Sequence, residues 1–216
     1  MNSGNRRRVP LAIPFLAGSE AANVQQAVES TWISSNGKYL KLFEEEFPVV
    51  AGTDQALAVS NGTVALHLAL LALGAGPGDE VIVPSMTYIA TANTVRYVGA
   101  EPVFVDVDPT TWCIDVGQVE AALTHRTVGV IPVDLYGHPA DYDPLEELAR
   151  KHGIWILEDA AEAPFATYKG RPVGSFGIAS TFSFYGNKVL TSGEGGAVAS
   201  SDTDLVATMR LIRGQG

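Results

Sequence analysis

"EVIVPSMTYIATANTVRYVGAEPVFVDV", residues 80 to 107, decides the fold class. Two short β-type runs, "EVIVP" and "PVFVDV", bracket "TANTVRYVGA", a segment with helical patterning that closes on glycine and alanine. A strand, a helix and a strand in that order predict parallel pairing, because parallel neighbours need a long crossover whereas antiparallel ones need only a tight turn. The apolar runs are short and nearly continuous, as expected of strands covered on both faces.

The same rhythm extends outward. "QALAVS" precedes this unit, and "TVGVIPV", "IWILED" and "IASTFSF" follow it as further strand candidates. Between them lie helix candidates in "GTVALHLALLALG", "VGQVEAALT", "DYDPLEELARKHG" and "SDTDLVATMRLIR", each with turn or capping residues near an end. "SEAANVQQAVES" and "KYLKLFEEEF" predict two more helices ahead of the sheet. The expectation is an α/β fold, a three-layer sandwich with a mostly parallel central sheet. The helix from Thr63 to Leu73 is apolar on every side and is expected to be buried, with His67 in it as a packed, hydrogen-bonded histidine.

Of 216 residues, 46% are hydrophobic, enough for one substantial core. The formal charge of -10 argues against a nucleic-acid or anionic-membrane surface and favours small-molecule chemistry. Cys113 is the single cysteine, without metal-ligand spacing, and reads as a bystander in a reducing compartment; the cytoplasm is the expected location. "RRRVPLAIPFLAG", residues 6 to 18, has the basic start of a signal peptide, but Pro10 and Pro14 interrupt its apolar run, and it is expected to be an extended arm. No stretch reaches the roughly 20 apolar residues a membrane-spanning helix needs.

Ligands of open parallel sheets collect beyond the carboxyl ends of the strands. Three places qualify. "SNGT" (60 to 63) joins a strand to the apolar helix; its glycine and free amides suit a phosphate, although a plain helix cap explains it equally well. "ILEDAAEA" (156 to 163) brings Asp159 to a strand end, where a buried carboxylate needs a cation or several donors. "TFSFYGNKVLTSGEGGA" (181 to 197) sets Lys188 between an aromatic strand and a glycine-rich loop; burial would free its amine for Schiff-base chemistry. Phosphate donors, an anion for a protonated ring nitrogen and an amine for an aldehyde are together what pyridoxal 5'-phosphate requires.

These blocks, with "WISSNGKYLKLFEEEF", "SNGTVALHLAL", "GAEPVFVDVDP", "EDAAEA", "TSGEGGA" and "LIRGQG", resemble the DegT/DnrJ/EryC1/StrS family of pyridoxal-phosphate-dependent sugar aminotransferases, which have the type I, aspartate-aminotransferase-like fold. The resemblance implies that Lys188 binds the cofactor aldehyde and then shuttles a proton. It places Asp159 at the pyridine nitrogen, Glu162 near the ring hydroxyl, Gly62, Thr63 and Ser183 on the phosphate, and Tyr88 on the ring face. It also implies L-glutamate as amino donor, a nucleotide-linked 4-keto-6-deoxy sugar as acceptor, and a homodimer. Through "SNGKY", "SNGTVALHLAL" and "SFYGNK" the expected acceptor is GDP-4-keto-6-deoxymannose, for bacterial surface polysaccharide.

The chain also departs from the family pattern. Asp134 stands in "IPVDLYGHP" where relatives usually carry histidine, His138 follows four residues later, and Pro164 and Phe165 predict a shifted loop. Relatives continue well beyond "RGQG", so residues 1–30 are expected to form an arm and helix, residues 31–216 the cofactor-binding large domain, and a C-terminal small domain to be absent. The alternative expectation is a catalytically silent fragment, or one half of an enzyme whose C-terminal half is encoded separately. An amino-acid lyase or desulfurase fits the blocks less well, and Lys188 argues against the family's sugar dehydratases, which usually carry histidine there.

Overall fold

The computed structural model describes residues 9–214 apart from 11 and 17. The elements run in chain order α1 (Glu20–Glu29), α2 (Lys38–Ala51), β1 (Gln55–Val59), α3 (Gly62–Ala72), β2 (Glu80–Pro84), α4 (Ala90–Tyr97), β3 (Glu101–Val105), α5 (Val116–Ala122) and β4 (Thr127–Val130). A single 3-10 turn (Leu135–Gly137) leads to α6 (Tyr142–His152), β5 (Trp155–Asp159), a small hairpin of β6 (Thr167–Tyr168) and β7 (Arg171–Pro172), β8 (Ala179–Ser183), β9 (Gly196–Ser200) and α7 (Thr203–Arg213).

Seven strands form one sheet in the order β1-β9-β8-β5-β4-β2-β3. The pairs β8–β5, β5–β4, β4–β2 and β2–β3 are parallel, and β9 lies antiparallel to both β1 and β8. Six strands therefore share one direction, and their carboxyl ends share one edge. The sequence reading predicted six of these strands and missed β9. "GAVAS" is short and made of small residues, so its periodicity is weak; it becomes a strand by filling the slot between β1 and β8.

Both faces of the sheet are covered. Within β2, Val81 and Val83 pack with Leu66 and Leu70 of α3, Val95 of α4 and Met209 of α7 on one face. Ile82, turned the other way by the two-residue strand period, packs with Val119 of α5 and Leu145 of α6. A third cluster seats Phe47 of α2 against Phe182 and Phe184. This is the expected three-layer sandwich. Gly129 in β4 is required by close approach, since a Cβ there would stand 2.1 Å from the Trp155 ring.

Helix α3 is mostly but not wholly buried, with Val64 and Leu71 reaching solvent. His67 packs edge-on against Tyr97, and among the described residues it takes no hydrogen-bond partner, so the packing half of its expectation holds alone. Helix α1 buries no residue, and residues 9–10, 12–16 and 18 are exposed without regular structure; the rest of the N-terminal arm lies outside the described residues. Among the described residues no helix is long and apolar enough to cross a membrane.

Candidate active site

Strand β1 delivers "SNGT" to the carboxyl edge. Asn61 caps α3 there, its Oδ1 accepting the Val64 amide at 2.9 Å. That cap satisfies one early amide and leaves those of Gly62 and Thr63 without intrahelical acceptors. Gly62 lies tightly against the end of β8: a Cβ on it would sit 2.9 Å from the Ser183 Cβ. Glycine thus brings the helix start and the Ser183 side chain together, which accounts for "SNGT" beyond the plain cap.

Asp159 ends β5 and is buried. Its Oδ2 accepts the Thr91 hydroxyl at 2.8 Å, and its Oδ1 accepts the Ala161 amide at 3.3 Å. Burial raises its pKa above the ordinary carboxylate value, while Thr91, Ala161 and the charge of Lys188 pull it back. Both direct partners are neutral donors.

Lys188 follows β8 on a loop pinned by its own amide, which donates to the Tyr185 carbonyl at 2.9 Å. Its Nζ lies 3.0 Å from Glu162 Oε1, and the two side chains are 16% and 27% exposed. The second Glu162 oxygen accepts the Tyr136 amide at 2.9 Å. The amine is therefore held inside the edge rather than solvated, as its setting among aromatic and glycine residues predicts.

Tyr88 is on the loop after β2 at the same edge and is 74% exposed. No hydrogen bond or ring contact joins its side chain to the other candidates. Sequence reasoning missed Thr91, which is fully buried in the first turn of α4 and is also bonded to Thr87 at 3.1 Å. Its signal was its place three residues after Tyr88, where a helix turn folds back under the loop. Reasoning also passed over Glu158, whose carboxylate is fully buried and accepts the amides of Gly174, Phe176 and Gly177 at 2.7, 2.6 and 2.6 Å. Burial pushes it up to about 7 despite those three donors.

The departures resolve locally. Asp134 is fully buried and accepts the Ala140 amide and the Tyr142 hydroxyl, each at 2.9 Å. Burial first, and Glu158 next, raise it well above the ordinary value. It anchors the loop after β4. His138 Nδ1 is 2.9 Å from the Pro139 carbonyl, and Cys113 Sγ donates to the His138 carbonyl at 3.2 Å. Burial pushes the Cys113 thiol up to about 11, in keeping with an inert cysteine. Pro164 is buried, and Phe165 turns into the left-handed region at φ 70°.

A mostly parallel three-layer sandwich with a lysine amine, an acid beside it and a buried carboxylate at one edge is the framework of the pyridoxal-phosphate-dependent aminotransferases. The chain belongs to the DegT/DnrJ/EryC1/StrS aminotransferase family, whose profile matches residues 15–216. Members of this family depend on pyridoxal phosphate.

Among curated proteins, the GDP-perosamine synthase of Caulobacter vibrioides is 53% identical over 97% of this chain and 56% of its own length. Among solved structures, the aminotransferase from Psychrobacter cryohalolentis superposes with a TM-score of 0.92 at 41% identity, covering 94% of this chain and 52% of that one. S. venezuelae DesV in complex with a ketimine intermediate gives a TM-score of 0.83 at 45% identity, over 94% of this chain and 57% of that one. The chain spans about half the length of the curated relatives it matches.

Proposed function

We propose that the protein takes part in pyridoxal-phosphate-dependent transfer of the amino group of L-glutamate to a nucleotide-linked 4-keto-6-deoxy sugar. The acceptor is GDP-4-keto-6-deoxymannose, the products are 2-oxoglutarate and GDP-perosamine, and the amino sugar serves a bacterial surface polysaccharide. The observation that carries this reading is the Lys188–Glu162 pair at 3.0 Å at the edge where Asp159 is buried.

The residues fit the cofactor. Asp159 is a buried carboxylate whose direct partners are neutral, so a ring-nitrogen cation about 4 Å away would interact with it by roughly 4 kcal/mol at an effective dielectric near 20. The Gly62 and Thr63 amides with the Ser183 hydroxyl form a cradle for a phosphate group. Bound there, pyridoxal phosphate supplies an aldehyde for amines and a protonated ring that accepts electron density. Lys188 Nζ would hold the aldehyde and carry the proton moved between substrate and cofactor, Glu162 would lie beside the ring hydroxyl, and Tyr88 would cover the ring face.

Residues 1–30 are assigned as arm and helix and 31–216 as the cofactor-binding domain of a cytoplasmic homodimer. A span of about half the relatives' length favours a second reading, in which these 216 residues hold cofactor but do not turn over alone. Borohydride reduction after incubation with pyridoxal phosphate, followed by peptide mass mapping, tests the cofactor site. A panel of GDP- and dTDP-linked keto sugars with glutamate then separates the two readings: an aminated sugar sinks the silent one, and its absence with cofactor bound sinks the active one.

A further inference from the structure

Among the described residues, five non-glycine residues hold positive φ angles, and three of them are aromatic residues that follow successive parallel strands at the site edge. Trp112 (φ 63°) comes after β3, Tyr136 (φ 53°) after β4 and Phe165 (φ 70°) after β5. The left-handed region is unfavourable for bulky side chains and persists where surrounding contacts impose it, most often at functional sites. Here the contacts are visible. Asp108 clamps the first loop by accepting the Thr110 and Thr111 amides at 2.7 and 2.9 Å, and the Trp112 amide donates to the Asp108 carbonyl at 2.8 Å. Buried Asp134 clamps the second through Ala140 and Tyr142, and the Gly137 amide donates to its carbonyl at 3.2 Å.

What these rigid loops present is apolar ring surface in water. Trp112 is 47% and Tyr136 74% exposed, and the two rings meet edge to face with centroids 6.1 Å apart. Tyr136 is also joined to the reacting amine through its own amide, Glu162 and Lys188. The Tyr136 backbone therefore stands one carboxylate away from the Lys188 amine, and its ring is in contact with that of Trp112. We infer that Trp112 and Tyr136 form the shelf on which the planar base of the nucleotide-linked sugar stacks. The inference rests on the proposed function and adds to it the place where the nucleotide is held.

The chemistry favours a base here. The chain carries a net charge of -10, so a nucleotide diphosphate gains little from the overall field. A π face binds a base without needing charge, and loop backbones already held by Asp108 and Asp134 lose little freedom on binding.

The test uses the full chain loaded with pyridoxal phosphate, and calorimetric titration with GDP and, separately, with pyrophosphate. Wild type should bind GDP more tightly than pyrophosphate. Trp112→Ala and Tyr136→Ala should each weaken GDP about tenfold or more, leaving pyrophosphate unchanged, while Trp112→Phe and Tyr136→Phe, which keep a ring, should stay within about threefold of wild type. GDP should also quench Trp112 fluorescence, a change absent from Trp112→Phe, which keeps the test open should an alanine variant fail to fold. Equal affinity for GDP in wild type and alanine variants, no GDP binding by loaded wild type at millimolar concentrations, or quenching that survives in Trp112→Phe would each overturn the shelf. Alanine variants that bind GDP normally but lose self-association in light scattering would overturn it too, and make the rim a contact between copies. Failure of the cofactor reading shows separately, as wild type that traps no pyridoxal phosphate.

Discussion

Lys188 Nζ and Tyr136 N are bound to opposite oxygens of one carboxylate, Glu162, at 3.0 and 2.9 Å. Loops after β8, β4 and β5 are thereby tied together by a single side chain. Partial burial makes that junction stiffer than an exposed ion pair of the same length, since fewer waters compete for the acid. The consequences can be measured.

Lys188→Ala should abolish the borohydride-fixed mass increment on the chain, because among the described residues no other amine is held at this point of the edge. Its effect on folding should be small, within about 1 kcal/mol in urea denaturation, as the pair it breaks is partly solvated. A stable adduct that persists in the variant would remove the cofactor site from Lys188.

Asp159→Asn separates binding from folding. The amide can accept the Ala161 N–H through its oxygen and donate its NH2 to the Thr91 hydroxyl oxygen, without a buried charge, so the cofactor-free variant should unfold within about 1 kcal/mol of wild type at neutral pH. Added pyridoxal phosphate should stabilise wild type by about 2.7 kcal/mol at a hundred times its dissociation constant and leave the variant nearly unchanged. Thermal melts with and without cofactor read both.

Thr91→Val keeps the shape and removes the hydroxyl that reaches Asp159. The carboxylate then keeps only the Ala161 amide, and the cost should be about 1–3 kcal/mol where Asp159 is ionised. Because a protonated carboxyl needs that donor less, the deficit should shrink on acidification. Urea midpoints of wild type and variant across pH check the trend.

Glu158 gives a pH signature of defined sign. Its folded value is raised from 4.5 to about 7, mainly by burial. Below 4.5 both folded and unfolded chains hold the proton; between 4.5 and about 7 the folded chain keeps a proton that the unfolded chain releases, so stability from this group falls as pH rises. The loss is at most about 3 kcal/mol. Glu158→Gln should lack this slope, and should start lower because its amide turns an N–H toward one of three backbone donors. A variant with the wild-type slope would shift the titration to another group.

Gly62→Ala should destabilise the fold by about 1–3 kcal/mol, since the added methyl collides with Ser183. Adding Ser183→Gly should recover part of that loss, giving a double mutant less destabilised than the sum of the two changes. Strict additivity in denaturant titrations would show that the two positions do not press on each other.

Much of the fold is legible locally. Capping residues and glycines mark helix ends at Asp115, Asp202 and Gly153, and the apolar runs mark six strands. The candidate lysine and the Asp159 carboxylate could be found because each follows or ends a strand, and strand ends are where parallel sheets place their ligands. β9 was not legible, because alanine, valine and serine in "GAVAS" carry little preference until two neighbouring strands offer their backbones. Asp134 was read as a lost histidine, whereas its carboxylate is spent on Tyr142, eight residues along the chain.

The sequence alone therefore determined the order and type of most elements, the covering of both sheet faces, and which lysine and which acid stand at strand ends. These follow from local periodicity and from turn chemistry. Only the tertiary structure decided that Thr91 donates to Asp159 across 68 residues, that Glu162 divides itself between Lys188 and Tyr136, each 26 residues away, and that Trp112 and Tyr136 share one rim. Such pairings depend on which strands become neighbours and how far each loop overshoots its strand, and those are set by packing of the whole sheet rather than by any window of residues.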